Sequence, residues 1–347
     1  MKKSTIRDVA AAAIVLFAVG FTASSVFADD LDARQMNLAH KYIEMLKDNK
    51  TAHEATVALI ELKENAVPML TDVAKNPAQR ASLRLAAIDI LGYIKSPSAT
   101  DALLVTLKDS NIKIRRASAK ALGRIADEKS VSGLKEALTD FDNETRLLAA
   151  KALVTIKDPT IGDTYMKFLD DPDAGIRMYA VMGLGDMKYQ AAVDNLSRMT
   201  ADPNDDVRLQ VAIALGKIKS KSSTGALNIL SQDRNINVRR EAILAMGSIG
   251  DPGSVPYLIT VAERDYKELR CAAIRALSDM GTPDAIPVLQ KLLKDEMMDV
   301  RIEAIRALAK VGDNRAAEDF TPLLNDESTR VRKEASIALK NVKDKTK

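Results

Sequence analysis

The chain has 347 residues, 46% hydrophobic, 29% charged and 4% aromatic, with no Trp, a single Cys and a formal net charge of +3. Such a chain can bury a large core of Ala, Leu, Ile and Val, while the shortage of aromatics and Gly argues against a sandwich or barrel and favours helix. One Cys excludes an intrachain disulfide, and the near-neutral charge is a poor footprint for nucleic acid.

In chain order, residues 1–28 read as a signal peptide. Lys2, Lys3 and Arg7 precede the apolar run from Val9 to Phe21, and Val26-Phe27-Ala28 precedes Asp29-Asp30 as a processing site requires. Cleavage after Ala28 is expected, with a periplasmic or secreted product and no stable membrane insertion afterwards. The alternative is a retained anchor, since Val9 to Ala28 is just long enough to span a bilayer, although Thr22, Ser24 and Ser25 weaken it. Removing Lys2, Lys3, Arg7 and Asp8 from 51 basic and 48 acidic residues leaves 48 and 47, a mature charge of +1. Cys271 would then be a lone thiol in an oxidising compartment, read as a small residue on a helix surface.

Residues 29–65 are expected to form capping helices, with a degenerate hairpin at about Leu31 to Lys63. Residues 66–347 follow one period. Arg84, Arg115, Arg146, Arg177, Arg208, Arg239, Arg270, Arg301 and Arg332 recur every 31 residues without an insertion, and a fixed period in this range signals a solenoid. Relative to each Arg, offsets −1, +3, +7 and +10 carry apolar or small residues and form one helical face; offset +6 is Ala in seven of the nine repeats. A second apolar-striped segment precedes each Arg segment, with Pro256 and Pro287 in first-turn positions. Asn111, Asp142, Asp173, Asn204, Asn235 and Ser328 are placed as N-caps of the Arg helices. Each repeat is therefore a helical hairpin that buries its stripe only by stacking on its neighbours.

The segment Pro287 to Leu308 carries Pro-x-Leu-x-x-x-Leu, then Asp295, then Val300-Arg301-x-x-Ala304-x-x-Ala307-Leu308. In this it resembles the HEAT-like repeats, in particular the short PBS-lyase type, over Ala66 to Lys343. The resemblance implies an all-α fold, a right-handed α-α superhelix of about nine 31-residue hairpins plus the N-terminal capping hairpin. It implies little about activity, because such folds host many functions.

Asp109, Asp140, Asp171, Asp202, Asp233, Asp295 and Asp326 each stand six residues before an Arg of the series. The seventh repeat has Asp265, slipped by one, and the first has Ala78. An anion-binding track is one reading of the nine arginines. The resemblance implies instead a structural ladder that bonds successive loops and fixes the rotation between hairpins, with the planar Arg fork suited to carboxylates.

Chemistry is not expected. His40 and His53 are the only imidazoles, both in the cap, with no Cys/His or Ser/His/Asp constellation, no Gly-rich phosphate cradle and no metal-ligand spacing. The reading is no enzyme, no catalytic residues, no cofactor and no metal. Pairs such as Asp163/Lys167 and Asp194/Arg198 are expected as i, i+4 ion pairs on solvated faces.

The remaining positions of the Arg helix point away from the core stripe, and the resemblance implies that they line the concave surface. Leu147, Leu148, Met178, Tyr179, Met182, Leu209, Ile213 and Leu244 make them apolar in repeats three to six, where a soluble helix should carry charge. The outward row of the other helix stays polar, with Asp101, Ser132, Asp163 and Asp194. An exposed apolar stripe marks an interface, and Met and Tyr suit adaptable anchoring. Arg116, Lys120 and Arg124 flank the stripe on one side, Arg275 and Arg306 on the other. The expectation is an exported scaffold that binds a protein or peptide, apolar at its centre with acidic flanks, and no nucleic acid. Alternatives are a self-assembling structural protein of the envelope, in which the stripe makes a homo-oligomer, and a lyase-type repeat enzyme.

Overall fold

The computed structural model describes residues 34–312 and 316–344; the expected signal segment and its cleavage site after Ala28 lie outside them. All regular structure among the described residues is helical, and the fold is an all-α helical-repeat solenoid. It opens with a helix at 34–45 and the helix Ala52–Glu61, which belong to the segment expected to cap the array. Short and long helices then alternate, each long helix carrying one Arg of the 31-residue series.

The local reasons for these boundaries recur with the same period. The side chains of Asn111, Asp142, Asp173, Asn204 and Asn235 each accept a backbone N–H of the following first turn, satisfying a donor that has no partner inside the helix. The sixth expected cap, Ser328, donates instead to Met298 Sδ at 2.9 Å. Pro256 and Pro287 stand in the first turns of Val255–Arg264 and Ile286–Leu292, where a missing N–H is harmless. At or just beyond the ends of seven long helices a left-handed residue recurs at a period of 31: Lys95, Ala126, Lys157, Lys188, Lys219, Gly250 and Gly281; Met298–Val311 ends instead on an extended Gly312. Only two of these left-handed residues are Gly, although Gly adopts this conformation at least cost.

The chain divides into two compact units, Met1–Asp158 and Pro159–Lys347. In the first, the long helices Ala81–Ile94, Ile112–Ile125 and Asn143–Ile156 stack side by side, each backed by a shorter helix: Val67–Lys75, Thr100–Thr106 and Val131–Ala137. Offsets −1 and +3 are buried in all three, and where offset +3 is Ser118, its hydroxyl is satisfied by Thr106 Oγ1 at 2.7 Å and Ile114 O at 2.8 Å.

In the second unit the long helices Ala174–Asp186, Asp205–Ile218, Ile236–Ile249, Lys267–Met280, Met298–Val311 and Thr329–Asp344 repeat the arrangement. Small residues set their spacing. A Cβ added at Gly247 would lie 2.7 Å from that of Ala276, so the Gly at offset +8 lets the Ala at offset +6 of the next long helix come close. Where offset +6 is Gly183, the space is filled by the ring of Tyr165, among the largest fully buried side chains. Val207, Val211, Leu215, Leu227 and Leu230 are wholly buried, each Leu worth about 2 kcal/mol relative to exposure.

Candidate functional site

The Arg series forms bonds in two directions. Backwards, Arg115, Arg146, Arg177, Arg208, Arg239, Arg301 and Arg332 donate through Nη1 to the backbone carbonyl six residues earlier, at 2.7 to 3.3 Å. Forwards, an Arg reaches the carboxylate 25 residues later, on the next hairpin. Arg115 grips Asp140 with Nε at 2.7 Å and Nη2 at 2.9 Å, Arg177 grips Asp202 at 2.8 and 2.9 Å, and Arg208 grips Asp233 at 2.6 and 3.0 Å. Arg84 meets Asp109 at 2.5 Å, Arg301 meets Asp326 at 2.9 Å, and Arg270 pairs with Asp295. Each of Asp109, Asp140, Asp171, Asp202, Asp233, Asp295 and Asp326 also accepts the backbone N–H two residues on. One carboxylate thus shapes its own loop and binds the preceding hairpin. The Arg115 fork holds the Asp140 carboxyl below its usual range against the upward push of burial.

Two arginines lack a carboxylate six residues earlier, because residue 78 is Ala and residue 264 is Arg. There Nε bonds to the end of the preceding short helix instead: Arg84 to Ala74 O at 2.8 Å and Arg270 to Ala262 O at 2.9 Å.

The apolar row is less exposed than the sequence suggests. Leu147 and Leu148 in the first unit, and Met178, Tyr179, Met182, Leu209, Ile213 and Leu244 in the second, are all half-buried. Successive long helices lie so close that these side chains are partly covered by their own array. More exposed large apolar side chains lie elsewhere, such as Phe141 in a loop and Ile229 on a short helix.

The basic flanks are largely matched from within. Arg116 forks onto Asp142 at 2.5 and 2.7 Å, a bond that holds the Asp142 carboxyl far below its usual range. Arg124 stacks 4.0 Å above the Tyr93 ring and lies 3.5 Å from Asp89. Arg275 forks onto Glu303 and Arg306 onto Glu334, each 28 residues later. Lys120 remains exposed. The expected acidic flanks of a partner therefore have few unmatched cations to meet.

The sequence profile described as HEAT repeats matches residues 67–154, 162–227, 196–268, 223–298 and 292–347. The chain belongs to the HEAT repeat family. Among solved structures, this HEAT protein is similar to an engineered protein at 21% identity, over 88% of this chain and 99% of that one, with a TM-score of 0.53. It is similar to YibA of Escherichia coli at 21% identity, over 74% and 96%, with a TM-score of 0.54. The complex of CpcE and CpcF of phycocyanin lyase from Nostoc matches at 22% identity, over 78% and 94%, with a TM-score of only 0.34. Likenesses this distant speak to the fold alone. Among curated proteins, no sequence matches this one.

Other expected features of the HEAT array find different partners. Asp163 accepts the Tyr189 hydroxyl at 2.5 Å, and neither Asp163/Lys167 nor Asp194/Arg198 forms an ion pair among the described residues. Across successive long helices, Lys217 pairs with Asp186 at 2.6 Å and Lys310 with Asp279 at 2.7 Å. His40 and His53 are exposed, and no group of metal-ligating side chains occurs among the described residues. Burial pushes the Cys271 thiol up, the opposite of an activated nucleophile.

Proposed function

We propose that this HEAT-repeat chain is an exported, non-catalytic scaffold that holds a protein or peptide partner against its long helices. The observation that carries the reading is a contrast within the second unit. Of the nine residues at offsets +1, +2 and +5 from the Arg in the earlier hairpins, six are Met178, Tyr179, Met182, Leu209, Ile213 and Leu244, and the others are Gln210 and the paired Arg240 and Glu241. In the later ones the same rows hold Arg275, Glu303, Arg306 and Glu334, joined in ion pairs between hairpins. A long-helix face can thus be closed by charge pairs between hairpins, and the earlier hairpins leave it mostly apolar and partly open to a partner. Met and Tyr suit such contacts because one adapts its shape and the other offers a large surface with a polar tip. Export is supported by Lys2, Lys3 and Arg7 ahead of an apolar run that ends at Val26-Phe27-Ala28.

Affinity capture from the periplasm or medium of the source organism, using chain from Asp29 onwards, tests the binding. The double variant Met182→Gln/Ile213→Gln should lose the captured polypeptide while keeping a cooperative thermal transition. Retention of the partner by a folded variant would overturn the assignment of the row, and recovery of the chain itself as sole ligand would make the row a homo-oligomer contact.

A further inference from the structure

The forward grip of the ladder fails at one rung inside the second unit. Arg208 and Arg270, on either side, hold Asp233 and Asp295 in their 25-residue relation. The corresponding partner of Arg239 is residue 264, and this is Arg264, the last residue of the helix Val255–Arg264. That helix runs on for 10 residues where Thr224–Leu230 and Ile286–Leu292 stop after 7, so the turn that presents aspartate elsewhere is occupied by helix. The neighbouring Asp265 turns its Oδ1 to the backbone N–H of Tyr266 at 2.7 Å.

Arg239 is nevertheless held as the other rungs are. Its Nη1 donates to Asp233 O at 3.0 Å, and its guanidinium lies 6.0 Å from the ring of Tyr266, which is 67% exposed. No carboxylate lies within ion-pair distance of it among the described residues, and Asp233 is already bound by Arg208. The sign of the surroundings has changed as well, since an arginine stands where the series places an acid. Of the nearby acids along the chain, Glu241 pairs with Arg240 and Glu263 with Lys291, while Asp265 and Glu268 are exposed. The result is an oriented guanidinium edge, an exposed aromatic ring and a second cation, all at the loop end of the long helices.

We propose that Arg239, Tyr266 and Arg264 form a binding site for a carboxylate of an acidic peptide segment, which takes the place of the missing aspartate. The intact rungs supply the template: a carboxylate bound side-on by Nε and Nη2, as Asp233 is by Arg208. Tyr266 would cover the aliphatic part of the incoming Asp or Glu side chain, and Arg264 would draw the acid in. The inference does not depend on the apolar row, and its test leaves that row untouched.

The test uses the chain from Asp29 onwards and a fluorescein-labelled tetraglutamate amide, followed by anisotropy at low salt, with the tetraglutamine peptide as control. Saturable binding of tetraglutamate alone is expected, weakened at least tenfold in Arg239→Gln and unchanged in Lys113→Gln, which removes an exposed cation from the first unit. Arg264→Asp, which puts a carboxylate in place of the cation that draws the acid in, should abolish binding. Equal binding by the wild type and Arg239→Gln would overturn the site. So would displacement of the peptide by equimolar inorganic phosphate, which would make it a general anion patch. If only Asp265→Asn binds the peptide, Asp265 fills the rung in solution and the proposal fails.

Discussion

Arg208 is bound on both sides of its guanidinium: Nη1 donates to the carbonyl of Asp202 at 2.8 Å, while Nε and Nη2 grip the carboxylate of Asp233 on the next hairpin. Both side chains of the pair are more than nine-tenths buried. Removing one partner strands the other in a place water reaches poorly, whereas replacing both removes the need for either. Arg208→Ala should therefore cost about 3 kcal/mol in urea unfolding, with far-UV circular dichroism nearly unchanged. The double variant Arg208→Met/Asp233→Leu should cost clearly less than the two single variants added together. Additive losses would mean that the pair contributes nothing as a pair.

Acid should loosen the same ladder. The Arg115 bond lowers Asp140; at Asp233 burial pushes upward, but the bonds from Arg208 and from the Asn235 N–H outweigh it. A carboxyl lowered in the folded state contributes stability that is complete above its unfolded value, about 4, and is lost as pH falls through the folded value. Melting temperature should thus be nearly flat from pH 7 to pH 5 and drop below pH 4. Asp140→Asn should flatten the drop while lowering the plateau. An acid limb identical in wild type and variant would place the titrating groups elsewhere.

The left-handed residues at helix ends offer a test free of side-chain contacts. Lys219 has φ 60° and Gly250, one period later, has φ 70°. A non-glycine residue in this region carries a penalty of about 1 kcal/mol, so Lys219→Gly should raise the urea midpoint and Gly250→Ala should lower it. If the two substitutions shift stability in the same direction, the strain argument is wrong.

Close approach of the long helices is tested by two glycines in different settings. An added Cβ at Gly247 would collide with Ala276, and one at Gly225 in the short helix Thr224–Leu230 would meet nothing within 4 Å. Gly247→Ala should destabilise by about 1 to 3 kcal/mol, and Gly225→Ala should stabilise by about 0.5 to 1 kcal/mol. Thermal unfolding of both variants gives the comparison directly.

The hairpins were legible because one residue type, Arg, recurs at a fixed spacing, and because Asn111, Asp142 and their counterparts mark helix starts by a local rule. The Arg–Asp relation was legible as a repeated spacing, but not its direction: a carboxylate six residues before an Arg, such as Asp233 before Arg239, belongs to the arginine of the previous hairpin, here Arg208, which only stacking reveals. Exposure was misread. A helical wheel of Asp205–Ile218 puts Leu209 and Ile213 opposite the core, yet it knows nothing of the long helices alongside, so half-buried positions pass for exposed ones. For the same reason Arg275 and Arg306 looked free: their partners Glu303 and Glu334 lie 28 residues away, beyond any i, i+4 rule.

The central claim is that the apolar row of the long helices holds another polypeptide. Benzoylphenylalanine placed singly at Met182, Ile213, Asp163 and Asp194, followed by illumination in the presence of the captured partner, tests it most directly. Met182 and Ile213 lie in the row, whereas Asp163 and Asp194 are exposed on short helices. The same partner polypeptide should be cross-linked from Met182 and Ile213 and not from Asp163 or Asp194. Equal cross-linking from all four positions, or from the short helices alone, would contradict the account.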